Sequence, residues 1–180
     1  MSPELRKMKK FRFQLLHEWI VRHFKPCSVA DVGGGKGLLS LLLNQDGFHS
    51  VVIDPHKQPL PTKYRDLGRQ KHRLSDVLSV PRIDSAFEKW MAADFDLLIG
   101  LHAHGSNMKI IEAAAEHRKG FILMPCCIID EPITPQPNID WFDSLEQYAN
   151  DLGVSTRRFD LNFKGQNIGF YSCMSDVCLE

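Results

Sequence analysis

The chain has 180 residues, of which 43% are apolar and 24% are charged, and its 22 basic side chains balance its 22 acidic ones. This composition is typical of a globular protein, and the zero net charge excludes a strong overall attraction to nucleic acid or to an anionic membrane. The apolar runs are too short to cross a bilayer, so we expect no membrane span. The first residues have no secretory pattern and the five cysteines have no framework spacing, so we expect a cytoplasmic protein with reduced thiols.

The first predicted element is an amphipathic helix over residues 3–24, in which apolar side chains recur every three or four positions. Ser2 and Pro3 are typical of a helix start, and Pro26 ends the pattern. The first half of this helix carries a basic run, residues 6–12. Such a run is either a solvated face or a contact surface for nucleic acid, and the sequence leaves both open.

A strand, a glycine turn and a second helix follow. The strand covers residues 28–32, three glycines stand at alternate positions (Gly33, Gly35 and Gly37), and a leucine-rich helix then runs to Asn44. Glycine permits left-handed backbone dihedrals and leaves no side chain between the backbone and a ligand. The start of the following helix offers free N–H groups. The pattern predicts a nucleotide-like ligand lying across the turn.

The rest of the chain alternates predicted strands with predicted helices. We expect strands over residues 49–53, 73–77, 95–101 and 121–124, helices over 63–70, 84–93, 107–118 and 141–152, and a closing hairpin of 155–161 and 168–173. The alternation predicts an α/β fold: a doubly wound, mostly parallel sheet of seven strands with helices on both faces and a C-terminal antiparallel hairpin strand. We expect a single domain, with an N-terminal helix over 1–26 and a core over 27–180.

Ligands of such sheets bind beyond the carboxyl ends of the strands. This rule brings five segments to one cleft: residues 33–37, Asp54, Asp76, 101–105 and 125–127.

The glycine turn excludes one common ligand class and disfavours another. A triphosphate-binding loop needs a lysine followed by Ser or Thr, whereas Lys36 lies between glycines. The dinucleotide fingerprint needs a third small residue where this chain has Leu38, which weakens a nicotinamide or flavin interpretation without excluding it. Asp54, at the end of the second strand, would accept hydrogen bonds from ribose hydroxyls in either class.

The motif Asp31-Val-Gly-Gly-Gly-Lys-Gly37, together with Asp54 and the closing hairpin, resembles the class I methyltransferases that use S-adenosylmethionine. The resemblance covers roughly residues 28–173 and implies that cofactor. It also implies roles for several residues. The amino-acid and ribose parts of the cofactor would lie on the motif residues Asp31, Gly33, Gly35 and Gly37. The ribose hydroxyls would be held by Asp54, and the adenine amine would be contacted by Asp76. A turn or helix-capping role for Asp76 is an equal alternative.

Two further motifs narrow the resemblance. Gly100-Leu-His-Ala-His-Gly105 and Met124-Pro-Cys-Cys127 are similar to a branch of methyltransferases that includes a tRNA ribose methyltransferase and relatives proposed to act on RNA. Members of that branch often have a cysteine where this chain has His104. Leu101, at the end of the fourth strand, belongs to the predicted cofactor site, and His102, Cys126 and Cys127 are the candidate catalytic residues.

The chemistry of methyl transfer gives these side chains alternative roles. An acceptor hydroxyl must lose its proton, and histidine titrates near working pH, so His102 or His104 is a candidate base. Their spacing would also suit a pair of metal ligands, but no third ligand matches nearby in sequence, so no metal is expected. Cys126 or Cys127 would either attack a pyrimidine ring or serve as a small apolar filler.

We therefore expect an S-adenosylmethionine-dependent methyltransferase that acts on RNA, either tRNA or rRNA, held by the basic segments 6–12 and 57–73. Three alternatives stay open: a non-catalytic cofactor-binding domain that serves a partner protein, a methyltransferase of a small molecule or a protein, and a nicotinamide-dependent oxidoreductase.

Overall fold

A computed structural model describes residues 7–135, 137–174 and 176–179. Its strands are β1 Ser28–Val32, β2 His49–Ile53, β3 Lys63–Arg65, β4 Lys71–Arg73, β5 Arg82–Ile83, β6 Leu97–Leu101, β7 Gly120–Met124, β8 Arg157–Asp160 and β9 Ile168–Ser172. Its helices are α1 Arg12–His23, α2 Leu38–Gln45, α3 Asn107–His117 and α4 Trp141–Asp151, with 3-10 turns at Lys9–Phe11 and Lys89–Asp94.

Seven of the strands form one sheet in the order β5-β2-β1-β6-β7-β9-β8. The first five strands of this order run parallel, and β9 is antiparallel to both of its neighbours, β7 and β8. The predicted seven-stranded, mostly parallel sheet with a closing antiparallel hairpin is confirmed. The remaining strands, β3 and β4, form a separate antiparallel hairpin.

Helices cover both faces of the sheet, as the alternation predicted. On one face, side chains of α3 and α4 pack with Leu98 of β6. On the other face, side chains of α1 and α2 pack with Leu97 and Ile99 of the same strand. All five residues of β6 are buried, and burial of each large aliphatic side chain contributes roughly 1.5–3 kcal/mol. A continuous apolar run is what a strand covered on both faces requires.

The predicted helix over residues 63–70 is wrong, because this stretch enters the β3–β4 hairpin. A turn is favoured here by the side chain of Asp66, whose Oδ1 accepts a hydrogen bond from the Gln70 N–H at 2.8 Å. The rings of Tyr64 and His72 then stack across the two strands, with centroids 4.9 Å apart.

The predicted third strand over residues 73–77 is also wrong. The sheet's third strand in chain order is β5, only two residues long, which pairs with the end of β2. Backbone hydrogen bonds join β5 to β2: the Val52 N–H donates to the Pro81 carbonyl at 3.0 Å, and the Asp54 N–H donates to the Ile83 carbonyl at 3.2 Å. So short a strand has no periodicity that a sequence pattern can reveal.

The predicted N-terminal helix begins later than expected. Lys7 is extended: its N–H donates to the Asn162 carbonyl at 3.0 Å, and its carbonyl accepts from the Lys164 N–H at 2.9 Å. Ser2 and Pro3, the predicted helix start, lie outside the described residues. Further along, the predicted helix over residues 84–93 is instead the 3-10 turn Lys89–Asp94.

Cys173 and Cys178 lie within reach of a disulfide bond, with Cα atoms 6.2 Å apart, whereas Cys27, Cys126 and Cys127 are free. For this pair the expectation of reduced thiols stays a prediction. Among the described helices, none has the length and apolar character needed to cross a bilayer.

Candidate active site

The carboxyl ends of β1 and β6 form a cleft of about 390 Å³ with the start of α1 above it. This volume lies within the range of roughly 300–1,000 Å³ that is usual for small-molecule sites. The lining residues are Arg12, Phe13, Asp31, Gly33, Gly34, Gly35, Lys36, Leu38, Gln58, Pro61, Leu101 and His102. Four of the predicted cofactor residues, Asp31, Gly33, Gly35 and Leu101, are therefore brought together here.

The glycine turn wraps over the carboxylate of Asp31. Gly33, Gly35 and Gly37 have φ angles of 65°, 54° and 79°, the left-handed region that the sequence predicted for them. Gly34, which the alternate-glycine pattern did not single out, makes the closest approach: a Cβ atom added there would lie 2.5 Å from Asp31 Oδ2. The turn is thus held against the carboxylate by a residue that has no side chain.

Asp31 is a buried acid, only 2% exposed. The Ser40 hydroxyl donates to its Oδ2 at 2.9 Å. Burial raises the pKa of Asp31 to about 6, and the nearby carboxylate of Asp54 adds to the rise, while the Ser40 hydrogen bond and Arg82 oppose it. Near neutral pH this side chain therefore carries a negative charge at the floor of the cleft.

Asp54 and Arg82 hold the outside of the turn. The carboxylate of Asp54 accepts hydrogen bonds from the Gly35 N–H at 2.9 Å and the His56 N–H at 2.8 Å. Arg82 donates to the carbonyls of the same two residues, at 2.8 Å and 3.2 Å. Asp54 itself is not among the residues that line the cleft. Sequence reasoning missed Arg82 altogether, since it stands on the short strand that no pattern revealed.

Asp76 is not where its predicted role requires it. The prediction placed it at the end of the third strand, but it lies in an exposed loop before β5. The acid that directly follows β5 is Asp84, which accepts a hydrogen bond from Arg82 Nε at 3.3 Å. The prediction that Asp76 follows the third strand is therefore wrong, because Asp84 occupies that place. A contact with adenine stays a prediction.

His102 stands at the carboxyl end of β6 in a strained conformation. Its φ of 57° is in the left-handed region, which costs a residue with a side chain about 1 kcal/mol or more. Its Nε2 is buried without a hydrogen-bond partner. Burial lowers the pKa of His102 to about 4, and the positive charges of Arg12 and Lys9 lower it further in the same direction. The ring is therefore neutral at physiological pH.

Two other side chains at the start of α1 have unpartnered polar atoms. Arg12 Nε, at the cleft, and Gln14 Oε1 are both buried without a hydrogen-bond partner. Burial also lowers the pKa of Arg12. The sequence predicted this segment to be either a solvated face or a contact surface for nucleic acid, because nothing in the spacing shows which of its cations points inward.

A second cleft of about 390 Å³ adjoins the first. The two share Phe13, Leu38 and Pro61. Four cations line this second cleft, Lys10 from the start of the chain and Lys63, Arg65 and Lys71 from the β3–β4 hairpin. Gln14, Tyr64 and Phe11 complete it. Parts of the two basic segments that the sequence singled out, 6–12 and 57–73, therefore face one cleft.

The predicted catalytic cysteines lie beyond the carboxyl end of β7, outside the lining of either cleft. Cys126 Sγ is 2.8 Å from His104 Nε2 and 3.6 Å from Cys127 Sγ. Burial raises the pKa of Cys126, and the hydrogen bond with Cys127 acts in the same direction. A thiol with a raised pKa is a weaker nucleophile at neutral pH, so this environment does not favour attack on a pyrimidine.

Comparison with solved structures places the fold in a known class. The precorrin-6y C5,15-methyltransferase of Geobacter metallireducens GS-15 aligns with 97% of this chain and 96% of its own, with a TM-score of 0.55 and 14% identity. Human N-acetylserotonin methyltransferase, solved in complex with SAM, aligns with 91% of this chain and 51% of its own, with a TM-score of 0.53 and 10% identity. The chain thus has the Rossmann-like fold of class I methyltransferases.

The sequence itself resembles a more particular protein. The probable tRNA (uracil-O(2)-)-methyltransferase of Caenorhabditis elegans is 35% identical over 104 residues, which are 57% of this chain. The chain spans only 18% of the length of that relative. No protein-family model matches the chain.

Proposed function

We propose that the chain binds S-adenosylmethionine in the cleft beneath the glycine turn and transfers its methyl group to RNA, with tRNA as the first candidate. The observation that carries this proposal is the pair of unpartnered buried atoms at the cleft, Arg12 Nε and His102 Nε2. Because buried polar groups are nearly always hydrogen-bonded, such atoms indicate a place for a polar ligand. The methyltransferase fold and the tRNA in the name of the C. elegans relative support the choice of ligand and acceptor.

The cleft offers groups that match the parts of this cofactor. Arg12 would hold its carboxylate, because a guanidinium is the side chain best suited to that group. The ionised carboxylate of Asp31 would attract its ammonium and sulfonium charges. Leu38, Leu101 and Pro61 supply apolar surface for its uncharged parts.

Two acids would serve the nucleoside part. The Asp54 carboxylate accepts hydrogen bonds from two backbone N–H groups, and its remaining lone pairs could accept hydrogen bonds from ribose hydroxyls. Asp84 follows β5, where the resemblance to methyltransferases implies an adenine contact.

The bound cofactor supplies a methyl group that its sulfonium has already activated. In the transfer, a bond would form between the acceptor and the methyl carbon while the sulfur–carbon bond breaks, the sulfur would keep the electron pair, and a hydroxyl acceptor would release its proton to water. Alignment of acceptor, methyl group and sulfur provides much of the rate. His102 lines the cleft and has a ring nitrogen without a partner, so it would position an acceptor hydroxyl.

The acceptor is proposed to be RNA because of the second cleft. Lysine and arginine side chains contact phosphates, and the partly exposed ring of Tyr64 is an aromatic surface of the kind on which bases stack. The residues shared between the two clefts make this surface continuous with the cofactor site. A strand of RNA held by the cations would thus reach the methyl donor.

Calorimetry with S-adenosylhomocysteine and with NAD tests the cofactor. We expect S-adenosylhomocysteine to bind and NAD not to bind, and Arg12→Gln to weaken the binding more than tenfold. Arg22→Gln is the matched control, because Arg22 is an exposed residue near the end of the same helix. Binding of NAD with no response to S-adenosylhomocysteine would overturn the proposal in favour of an oxidoreductase.

Transfer of a labelled methyl group to total tRNA tests the acceptor. We expect the double variant Lys63→Glu, Lys71→Glu to raise the KM for tRNA more than tenfold and to leave S-adenosylhomocysteine binding unchanged. The control is Lys25→Glu, Lys119→Glu, since these lysines precede β1 and β7 at the opposite edge of the sheet. Cofactor binding without transfer to tRNA, rRNA, protein or metabolites would instead support a non-catalytic partner domain.

A further inference from the structure

One group of side chains beyond the cofactor cleft has the composition of a metal site. His104, Cys126 and Cys127 each offer a ligand atom, and these three atoms lie within 4.8 Å of one another. The Sγ atoms of the two cysteines are 3.6 Å apart, and His104 Nε2 lies 2.8 Å from Cys126 Sγ and 3.6 Å from Cys127 Sγ. We refer to these three residues as the Cys-Cys-His cluster.

The cluster is assembled by the sheet. β6 and β7 are parallel neighbours whose last residues, Leu101 and Met124, are in register. The pairing continues beyond the strands, because the His102 N–H donates to the Met124 carbonyl at 3.1 Å. The two loops that carry the cluster therefore leave the sheet side by side.

A carboxylate further along fixes these loops to each other. Glu131, in the loop after the cysteines, accepts hydrogen bonds from the Asn107 N–H at 2.7 Å and the Met108 N–H at 3.1 Å. These are first-turn donors of α3, which directly follows the His104 loop, so one side chain caps the helix and joins both loops. Gly105 packs closely on the same segment, since a Cβ atom added there would lie 3.0 Å from Asp130 Cβ.

The spacing of the cluster suits zinc. Zinc–sulfur bonds of about 2.3 Å and zinc–nitrogen bonds of about 2.0 Å at tetrahedral angles hold their ligand atoms roughly 3.5–3.8 Å apart. Two of the three separations, both 3.6 Å, already have this value. The third, at 2.8 Å, would open by roughly 0.8 Å, a movement available to His104 because its side chain is exposed.

We propose that the Cys-Cys-His cluster binds one zinc ion, with its fourth coordination position open. Binding replaces the two thiol protons, which pass to water, with two zinc–sulfur bonds. Within the described residues no fourth His, Cys, Asp or Glu completes the group, and three protein ligands with an open position are typical of catalytic zinc rather than structural zinc. The thiolates would then be metal ligands rather than nucleophiles.

The location of the cluster in the sequence suggests a use for the open position, and this part rests on the proposed function. His104 is two residues from His102, which lines the cofactor cleft. A zinc ion at the cluster would bind an acceptor oxygen and favour its deprotonated form, since zinc acts as a Lewis acid toward oxygen ligands. Zinc would thereby assist methyl transfer to a hydroxyl.

Titration of the reduced, chelator-treated protein with Co²⁺ tests the site without any activity assay. We expect a cobalt–thiolate absorption band that reaches its maximum at one ion per chain and disappears when zinc is added. Cys126→Ser, Cys127→Ser and His104→Asn should each weaken zinc binding by more than the roughly 100-fold that loss of an outer-sphere partner can cause. Cys27→Ala and His49→Asn are matched controls, since both residues lie at the amino end of the sheet and should leave binding unchanged.

Two results would overturn the zinc inference. One is the absence of the thiolate band in a reduced protein that still binds S-adenosylhomocysteine, which also shows that the fold is intact. The other is a band that persists in the Cys126→Ser, Cys127→Ser double variant. Failure of S-adenosylhomocysteine binding while the band is present would instead refute the proposed cofactor and leave the metal site standing.

Discussion

The buried carboxylate of Asp31 makes the stability of the fold depend on pH. Its pKa is 3.8 in a solvated chain and about 6 in the folded protein. Between these values the folded state binds more protons than the unfolded state, so the free energy of unfolding falls as pH rises from about 4 to about 6. A difference of about two pKa units corresponds to about 3 kcal/mol. Above about pH 6 the free energy of unfolding is lowered by this full amount, because the buried carboxylate of Asp31 is ionised.

Urea unfolding of the wild type and of Asp31→Asn at several pH values between about 4 and about 7 measures this effect. Asparagine retains an oxygen that accepts the Ser40 hydrogen bond and removes the charge. We expect the variant to gain stability relative to the wild type as pH rises, by up to about 3 kcal/mol at neutral pH. Asp160→Asn, an exposed acid on β8, is the control. If both variants follow the wild-type curve, Asp31 is not titrating as its burial implies.

The same carboxylate should make cofactor binding depend on pH in the opposite sense. The ammonium group of S-adenosylhomocysteine, placed beside Asp31, favours the ionised form of that side chain, so the affinity for this ligand should rise as pH rises through about 6. Each unit by which the ligand lowers the pKa of Asp31 contributes up to a tenfold gain in affinity. Calorimetry on Asp31→Asn should give weaker binding with little pH dependence. An affinity that falls as pH rises would refute the placement of the ligand's positive charge.

Three further substitutions probe the loops of the site. Gly34→Ala should weaken S-adenosylhomocysteine binding more than tenfold, because the added Cβ would lie 2.5 Å from a carboxylate oxygen of the buried Asp31. Calorimetry measures this affinity, and Gly68→Ala in the β3–β4 turn is the control. Glu131→Ala should lower the free energy of unfolding by about 1–2 kcal/mol through loss of the α3 cap, whereas the exposed Glu116→Ala should change it little. His102→Gly keeps the positive φ without strain but removes the ring that lines the cleft, so methyl transfer to tRNA should fall; unchanged transfer would remove His102 from the site.

Much of the sheet could be predicted because its central strands are covered on both faces. Ser28–Val32 and His49–Ile53 have the bounds that the sequence indicated, since each apolar run ends where the chain leaves the core. The edge of the sheet lacks this signal. Arg82–Ile83 is half exposed and is held by backbone hydrogen bonds, which almost any sequence can make. This is why the predicted third strand, and with it the placement of Asp76 at the end of that strand, was wrong.

The candidate site shows the same division between local and distant information. The left-handed glycines belong to one short motif, so their geometry could be predicted from their spacing. Arg12 and Arg82 reach the turn from other parts of the chain, and only the fold shows that they do. The meeting of His104 with Cys126 and Cys127 likewise depends on the pairing of β6 with β7.

The order of the strands arranges three kinds of chemistry along the carboxyl edge of the sheet. Arg82 of β5 and Asp54, just after β2, hold the outside of the glycine turn. This turn, which follows β1, encloses the cleft together with the end of β6. The Cys-Cys-His cluster lies beyond β6 and β7. The cations of the second cleft come from the start of the chain and from the β3–β4 hairpin, so they border the cofactor cleft through α1 and α2. An acceptor held by these cations would meet the methyl donor with His102 lining the cleft and the cluster just beyond it. Loss of the cations should therefore raise the KM for tRNA, and loss of the cluster should lower kcat, because the two lie at different places along the path of the acceptor.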